Sequence, residues 1–261
     1  MMKNSCVILV VTHKEYRMPE NPLYHPIQVG TGVKLHDAWL RDDTGENICE
    51  KNPTFCELTA LYWAWKNLDA DILGLCHYRR YLGSPGKRGA RADAYLTEAD
   101  ILKLLKQSAQ DTGVDVLLPG KRHYWIETRE SQYAHAHHRE DLECVEGILT
   151  ERYPDYLEAW NHMLKSRSGH ICNMFVMRRD LLDAYCTWLF DILLEAERRL
   201  DISSYTGNSR RVFGFLGERL LDVWIERNGC TWKEVPMINL ESQHWVRKGW
   251  DFIRRKWKGN R

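Results

Sequence analysis

Asp71-Ile72-Leu73-Gly74-Leu75-Cys76 runs straight into His77-Tyr78-Arg79-Arg80-Tyr81. The first part is an apolar run of strand length. The second part puts an imidazole, two phenols and two guanidiniums where that strand empties. Open α/β sheets bind ligands beyond the carboxyl ends of their strands, and the Arg fork matches phosphate oxygens. The stretch therefore reads as a buried strand ending in an anion site of the kind a diphosphate occupies. A basic, solvated loop has the same composition and is the competing description.

Outward from this strand, helix and strand patterns alternate. Residues 6–12 and about 26–29 read as strands. Asn52-Pro53 reads as the start of a helix to about Asn67, with Pro at its first position and Leu58, Leu61, Tyr62 and Trp65 on one face. A Gly/Arg-rich loop follows at 83–93, and Thr97-Glu98-Ala99-Asp100 is a capping signature for a further helix. Val114–Leu118 reads as a strand and 121–138 as a polar, His-rich segment. Helical patterns cover 139–152, 155–166, 180–200 and 213–228, with strands at 171–177 and 232–236. Such alternation, with no Gly/Pro/Ser linker, predicts one mostly parallel α/β domain over 1–240 and a separate basic tail over 241–261.

Composition narrows the function. The 261 residues are 44% hydrophobic, enough for a substantial core, and the net charge of +1 argues against a nucleic-acid binder. Eleven Trp and twelve Tyr are many for this size; most are expected in the core, and such rings also suit flat-faced ligands such as sugars. The eight Cys are scattered with no C-x-x-C pair, which fits neither zinc knuckles nor a disulfide framework. Cys6–Val11 is too short for a signal peptide, and no run approaches a transmembrane span. A cytoplasmic protein is expected.

The chain resembles a family of bacterial glycosyltransferases of capsule, exopolysaccharide and lipopolysaccharide O-chain synthesis that carry a His-Tyr-Arg-Arg-Tyr signature. The resemblance runs in order through Thr12-His13-Lys14, Pro26–Gly30, Asp43–Ile48, Asn52, Cys56–Trp63, Gly74–Tyr81, Asn173-Met174-Phe175, Tyr185–Phe190 and Gly214–Leu221. It implies a single GT-A-like, Rossmann-like domain that moves a sugar from a nucleotide-diphosphate donor, a UDP-sugar, to a growing, lipid-linked surface glycan. A nucleotide-sugar hydrolase or phosphotransferase, and a non-catalytic glycan- or nucleotide-binding protein, are the alternatives on the same fold.

For the donor, the resemblance implies Thr12, His13, Lys14, Asn47, His77, Tyr78, Arg79, Arg80 and Arg211. GT-A enzymes usually hold Mg²⁺ or Mn²⁺ with Asp-x-Asp, and Asp69-Ala70-Asp71 has that spelling. It precedes the strand, however, and so falls on the wrong edge of the sheet. Arg79 and Arg80 stand where the metal carboxylates belong, so no metal is expected, although His77 with a remote carboxylate such as Asp43 offers another route.

A hydroxyl attacking the anomeric carbon must lose a proton. The resemblance points to Glu218 as that base, with helix propensity or an Arg partner as the other reason for a Glu there. Asp43, Glu57 and His137 are the fallback candidates. The resemblance implies sugar contact for Asn173, an amide within a buried strand that is costly unless bonded. Tyr133 and His137 are expected to contact sugar, since His135-Ala136-His137-His138 completes no four-ligand zinc pattern. From Trp245 to Arg261 there are seven Lys/Arg and one Asp, with Val246, Trp250, Ile253 and Trp257 in a stripe. That pattern suits an anionic membrane surface or a terminal helix packed on the domain.

Overall fold

In the computed structural model, residues 5–87, 94–106 and 111–241 are described. The tail expected to meet a membrane lies outside them, and so does most of the Gly/Arg-rich loop.

Four strands form the parallel side of the sheet: β1 (Cys6–Thr12), β2 (Tyr24–Gln28), β3 (Leu40–Arg41) and β4 (Ile72–His77). Beyond β4 come β9 (Phe175–Arg178), β6 (Val116–Pro119) and the edge strand β10 (Trp232–Val235), giving the order β10-β6-β9-β4-β1-β2-β3. β9 alone runs against its neighbours β4 and β6; the pairs β1·β2, β2·β3, β1·β4 and β6·β10 are parallel. β5 (Arg80–Leu82) folds back antiparallel to β4 and pairs with β11 (Met237–Asn239), and β7 (Arg122–His123) pairs antiparallel with β8 (Ser168–Gly169) apart from the main sheet.

The carboxyl ends of β1, β4, β6 and β10 therefore share one edge, with the entry to β9. Alternation along the strands divides the core into two clusters. Leu9, Val11, Leu73, Leu75, Phe175 and Met177 face the larger helical layer. Ile8, Val10, Ile72, Cys76 and Val176 face the smaller cluster around Tyr24, Tyr81 and Leu96. The larger layer contains α2 (Leu58–Asn67), α5 (Arg139–Arg152), α6 (Leu157–Lys165), the 21-residue α7 (Arg179–Arg199) and α8 (Val212–Arg227). None of the described helices is long and apolar enough to cross a membrane.

Three local expectations change. The helix read from Asn52 to Asn67 is two: α1 (Asn52–Phe55) stops at Cys56, whose φ of 54° and ψ of −129° leave helical space, and α2 starts at Leu58. The strand read at 171–177 begins only at Phe175, because Cys172 (φ 74°) and Asn173 (φ 49°) take left-handed conformations. The His-rich segment holds a helix, α4 (Arg129–Ala136), opened by a Thr128–Ser131 capping box. The expected box at Thr97 and Asp100 does open α3 (Glu98–Leu104).

Candidate active site

A cleft of about 480 Å³ opens at the carboxyl ends of β1 and β4. Thr12 and His13 line it from β1, and His77, Tyr78, Arg79 and Arg80 from the β4–β5 turn. Cys56 and Glu57 enter between α1 and α2, Cys172 ahead of β9, and Arg211 and Glu218 from the start of α8. Residues as far apart in sequence as Thr12 and Glu218 thus meet because parallel strands deliver their ends to one edge. Cys56, Cys172 and Asn173 are the non-glycine residues with positive φ among the described residues. All three stand at this cleft or against its wall, and such strain concentrates at functional sites.

Cations occupy one side. Arg80 meets no carboxylate among the described residues. Arg211 gives its Nε–H to Cys56 Sγ at 3.1 Å and lies over the Phe215 ring, also without a carboxylate partner. Arg79 differs: its guanidinium forks onto Glu241 at 2.9 and 3.2 Å and covers Tyr78. Lys14 also reaches over Tyr78, 5.4 Å from the ring centre. Partial burial, then the charges of Lys14, Arg79 and Arg211, hold the His13 imidazole below its usual pKa. Thr12 Oγ1 is engaged in a local turn, donating to Lys14 O (2.6 Å) and accepting from Lys14 N (3.2 Å).

Acids face them. Glu218 Oε1 accepts the Cys172 N–H at 2.8 Å, and burial pushes its carboxyl pKa up, with the nearby Glu57 charge adding to the rise. Arg219 is next in sequence but stays 3.9 Å from Glu218. It lies buried against the Tyr133 ring and donates to Phe215 O and Gln132 Oε1. Glu57 is only 7% exposed and accepts Asn173 Nδ2 at 2.8 Å. His77 Nε2 is 2.6 Å from the Cys172 carbonyl. That contact requires Nε2 to carry the proton and leaves Nδ1 as the acceptor in the neutral ring.

Close packing of α8 makes the constellation possible. A Cβ on Gly217 would lie 2.8 Å from Leu58 Cδ1 and 3.1 Å from Asn173 Oδ1, and one on Gly214 would lie 3.2 Å from Cys56. Gly217→Ala is expected to cost about 1–3 kcal/mol, the usual range for overpacking, read as a lower urea midpoint at unchanged slope.

Other sequence candidates fall elsewhere. Tyr133 is fully buried, its hydroxyl bonded to Asp141 at 2.8 Å, so it is part of the core and presents nothing to an acceptor. His137 packs between Tyr133 and Phe215 outside the cleft, and burial drops its pKa to about 4. Asn47 bonds Gly45 O and Cys49 N in a turn away from the cleft. Asn173 turns its amide into the wall, towards Glu57 and Gly214 O.

Asp71 bonds Ser5 at the amino end of the sheet, and Asp43 is forked by Arg41, so neither faces His77. No three His, Cys, Asp or Glu side chains are grouped to hold a metal among the described residues. The cleft's two carboxylates, each already bonded to a protein N–H and set beside arginines, do not fit the divalent ion that GT-A enzymes usually carry. Sequence reasoning missed Cys56 and Cys172 as cleft residues, and placed Glu57 only as a fallback. The one available signal for Glu57 was a charged residue inside an otherwise apolar helical start.

No curated protein matches the chain. It is similar to a solved structure of WbbM, a bifunctional glycosyltransferase in its apo form, at 30% identity and a TM-score of 0.78. The match covers 92% of this chain and 46% of that one, so the chain spans about half of that protein. The mixed α/β architecture with a mostly parallel central sheet is shared with that neighbour. Residues 7–229 match the family described as "Domain of unknown function (DUF4422)", and the chain belongs to that family.

Proposed function

We propose that the protein is a glycosyltransferase that moves a sugar from a nucleotide-diphosphate donor to a glycan acceptor. The observation that carries this reading is the division of one cleft into two guanidiniums without a carboxylate partner among the described residues, Arg80 and Arg211, and two carboxylates, Glu57 and Glu218. The likeness to a glycosyltransferase over most of the chain supports it. In its finer form the donor is a UDP-sugar, the acceptor a lipid-linked bacterial surface glycan, and the stereochemistry inverting. The basic tail then places the enzyme at the inner face of the membrane.

Glu218 takes the proton of the attacking acceptor hydroxyl. The acceptor oxygen bonds to the anomeric carbon as the carbon–oxygen bond to the diphosphate breaks. The leaving diphosphate departs with the electron pair, and Arg80 and Arg211 meet its charge. A base works best with a pKa near the working pH, and the raised carboxyl of Glu218 moves in that direction.

Calorimetry with UDP, GDP and dTDP, followed by turnover of the matching nucleotide-sugars with and without a lipid-linked acceptor, tests the reading. Donor hydrolysis unchanged by any acceptor would point to a hydrolase, and binding without turnover to a non-catalytic glycan- or nucleotide-binding protein. Turnover is expected to survive EDTA, because guanidiniums meet the leaving charge. Complete loss on chelation, restored by Mn²⁺ or Mg²⁺, would contradict this assignment.

A further inference from the structure

The turn that enters β9 touches three acid–base groups of the cleft, Glu57, His77 and Glu218. Cys172 N donates to Glu218 Oε1 at 2.8 Å, and Cys172 O receives His77 Nε2–H at 2.6 Å. Asn173 Nδ2 donates to Glu57 Oε1 at 2.8 Å and to Gly214 O at 3.0 Å. One short turn therefore reaches α2, β4 and α8 together.

It does so at a cost. Consecutive non-glycine residues in left-handed space store of order 1–3 kcal/mol each. Asn tolerates that region better than most residues, yet Cys172 beside it does not. Asn173 is 2% exposed, and its Oδ1 is buried with no hydrogen-bond partner. Leaving a buried acceptor unmet is unfavourable. The amide orientation is nevertheless fixed, because both groups facing its nitrogen, a carboxylate and a carbonyl, only accept. The side chain is thus committed to the wall, and no free donor is left for a sugar.

We propose that Asn173 is a positioning residue. It clamps Glu57 and the Cys172 peptide so that Glu57, His77 and Glu218 face the transferred sugar in one fixed arrangement. The inference rests on the glycosyl-transfer reading above. Glu57 lines the cleft, and its second oxygen has no protein partner among the described residues. Around it stand His77 on β4 at 4.0 Å, Arg211 ahead of α8, Glu218 on α8, and the thiols of Cys56 and Cys172.

Two variants test this. Asn173→Gly keeps the left-handed backbone without strain and removes the clamp. Asn173→Asp keeps the shape but sets two carboxylates face to face, so that they share a proton. Expected for Asn173→Gly is a kcat lowered by about 10²-fold, the scale of a misplaced catalytic geometry, with UDP affinity by calorimetry unchanged. Expected for Asn173→Asp is an acid limb of the kcat profile moved to higher pH by about one unit or more.

A ¹H–¹⁵N imidazole spectrum supplies a readout independent of turnover. The protected His77 Nε2–H should be seen in the wild type and lost to exchange in Asn173→Gly. A retained signal, with wild-type kcat and pH profile in both variants, overturns the proposal. So does activity that falls only in step with the folded fraction while the pH profile stays put. Failure of the wild type to bind any of the three nucleotides would instead strike the glycosyl-transfer reading, and the imidazole signal would still decide whether Asn173 holds the turn.

Discussion

Glu218→Gln is expected to lower sugar transfer by roughly 10²–10⁴-fold, the usual worth of a general base, with UDP binding intact. Gln keeps an oxygen to accept the Cys172 N–H but cannot take a proton at neutral pH. Stability separates this role from a structural one. The Glu218 carboxyl is raised in the folded protein, by burial and then by Glu57. A raised folded pKa gives an acid its full stabilising share below the unfolded value, and that share is lost as pH rises through the folded value. Wherever Glu218 is ionised, as the base role requires, its charge therefore weakens the fold, and the Gln variant should melt at the same temperature or higher. Arg219, at 3.9 Å and bonded elsewhere, does not reverse that sign. Melting temperature and turnover on one preparation decide it. A lower melting point with turnover kept would move the base to Glu57.

Arg80→Ala is expected to cost turnover about 10²–10³-fold, corresponding to the 2.7–4 kcal/mol measured when a preorganised donor is removed from a developing anion. Its guanidinium faces the cleft and meets no carboxylate among the described residues, so its charge is available to a leaving diphosphate. Arg79, its neighbour in sequence, is forked onto Glu241 and should matter less: Arg79→Ala is expected to retain at least ten times the turnover of Arg80→Ala. Steady-state kinetics with the best nucleotide-sugar from the binding panel, at two salt concentrations, checks the ranking. Equal losses in the two variants would show that the fork to Glu241 opens when donor binds. Normal turnover in Arg80→Ala would remove the diphosphate from this end of the cleft.

Much of this candidate site is legible in the sequence, and the reasons are local. A strand that empties into His77-Tyr78-Arg79-Arg80 marks a sheet edge because strand polarity is carried by sequence order. The same logic put Asp69 and Asp71 on the opposite edge, where Asp71 bonds Ser5. What stayed hidden depends on backbone geometry that composition does not encode. Nothing in Asn52–Asn67 announces a break at Cys56, since a cysteine there satisfies helical periodicity as well as alanine would. Asn173-Met174-Phe175 reads as strand throughout, yet its first residue is left-handed. Tyr133 shows a third limit: an aromatic in a polar, His-rich segment suggests a ligand surface, and its destination beneath Arg219 and against Asp141 is decided by α4 packing on α5 and α6.

Cys56 puts stability and design in opposition. A residue with a β-carbon held at φ 54° and ψ −129° occupies backbone space that glycine enters freely, so Cys56→Gly removes strain of order 1–3 kcal/mol. Any screen that selects only for thermal tolerance will be drawn to this position. The same substitution deletes the sulfur that holds Arg211 Nε at 3.1 Å, and a guanidinium freed from its anchor samples many rotamers. A sturdier protein obtained this way is therefore a poorer template for engineering new sugar specificity, because the cation proposed to meet the leaving group is no longer fixed.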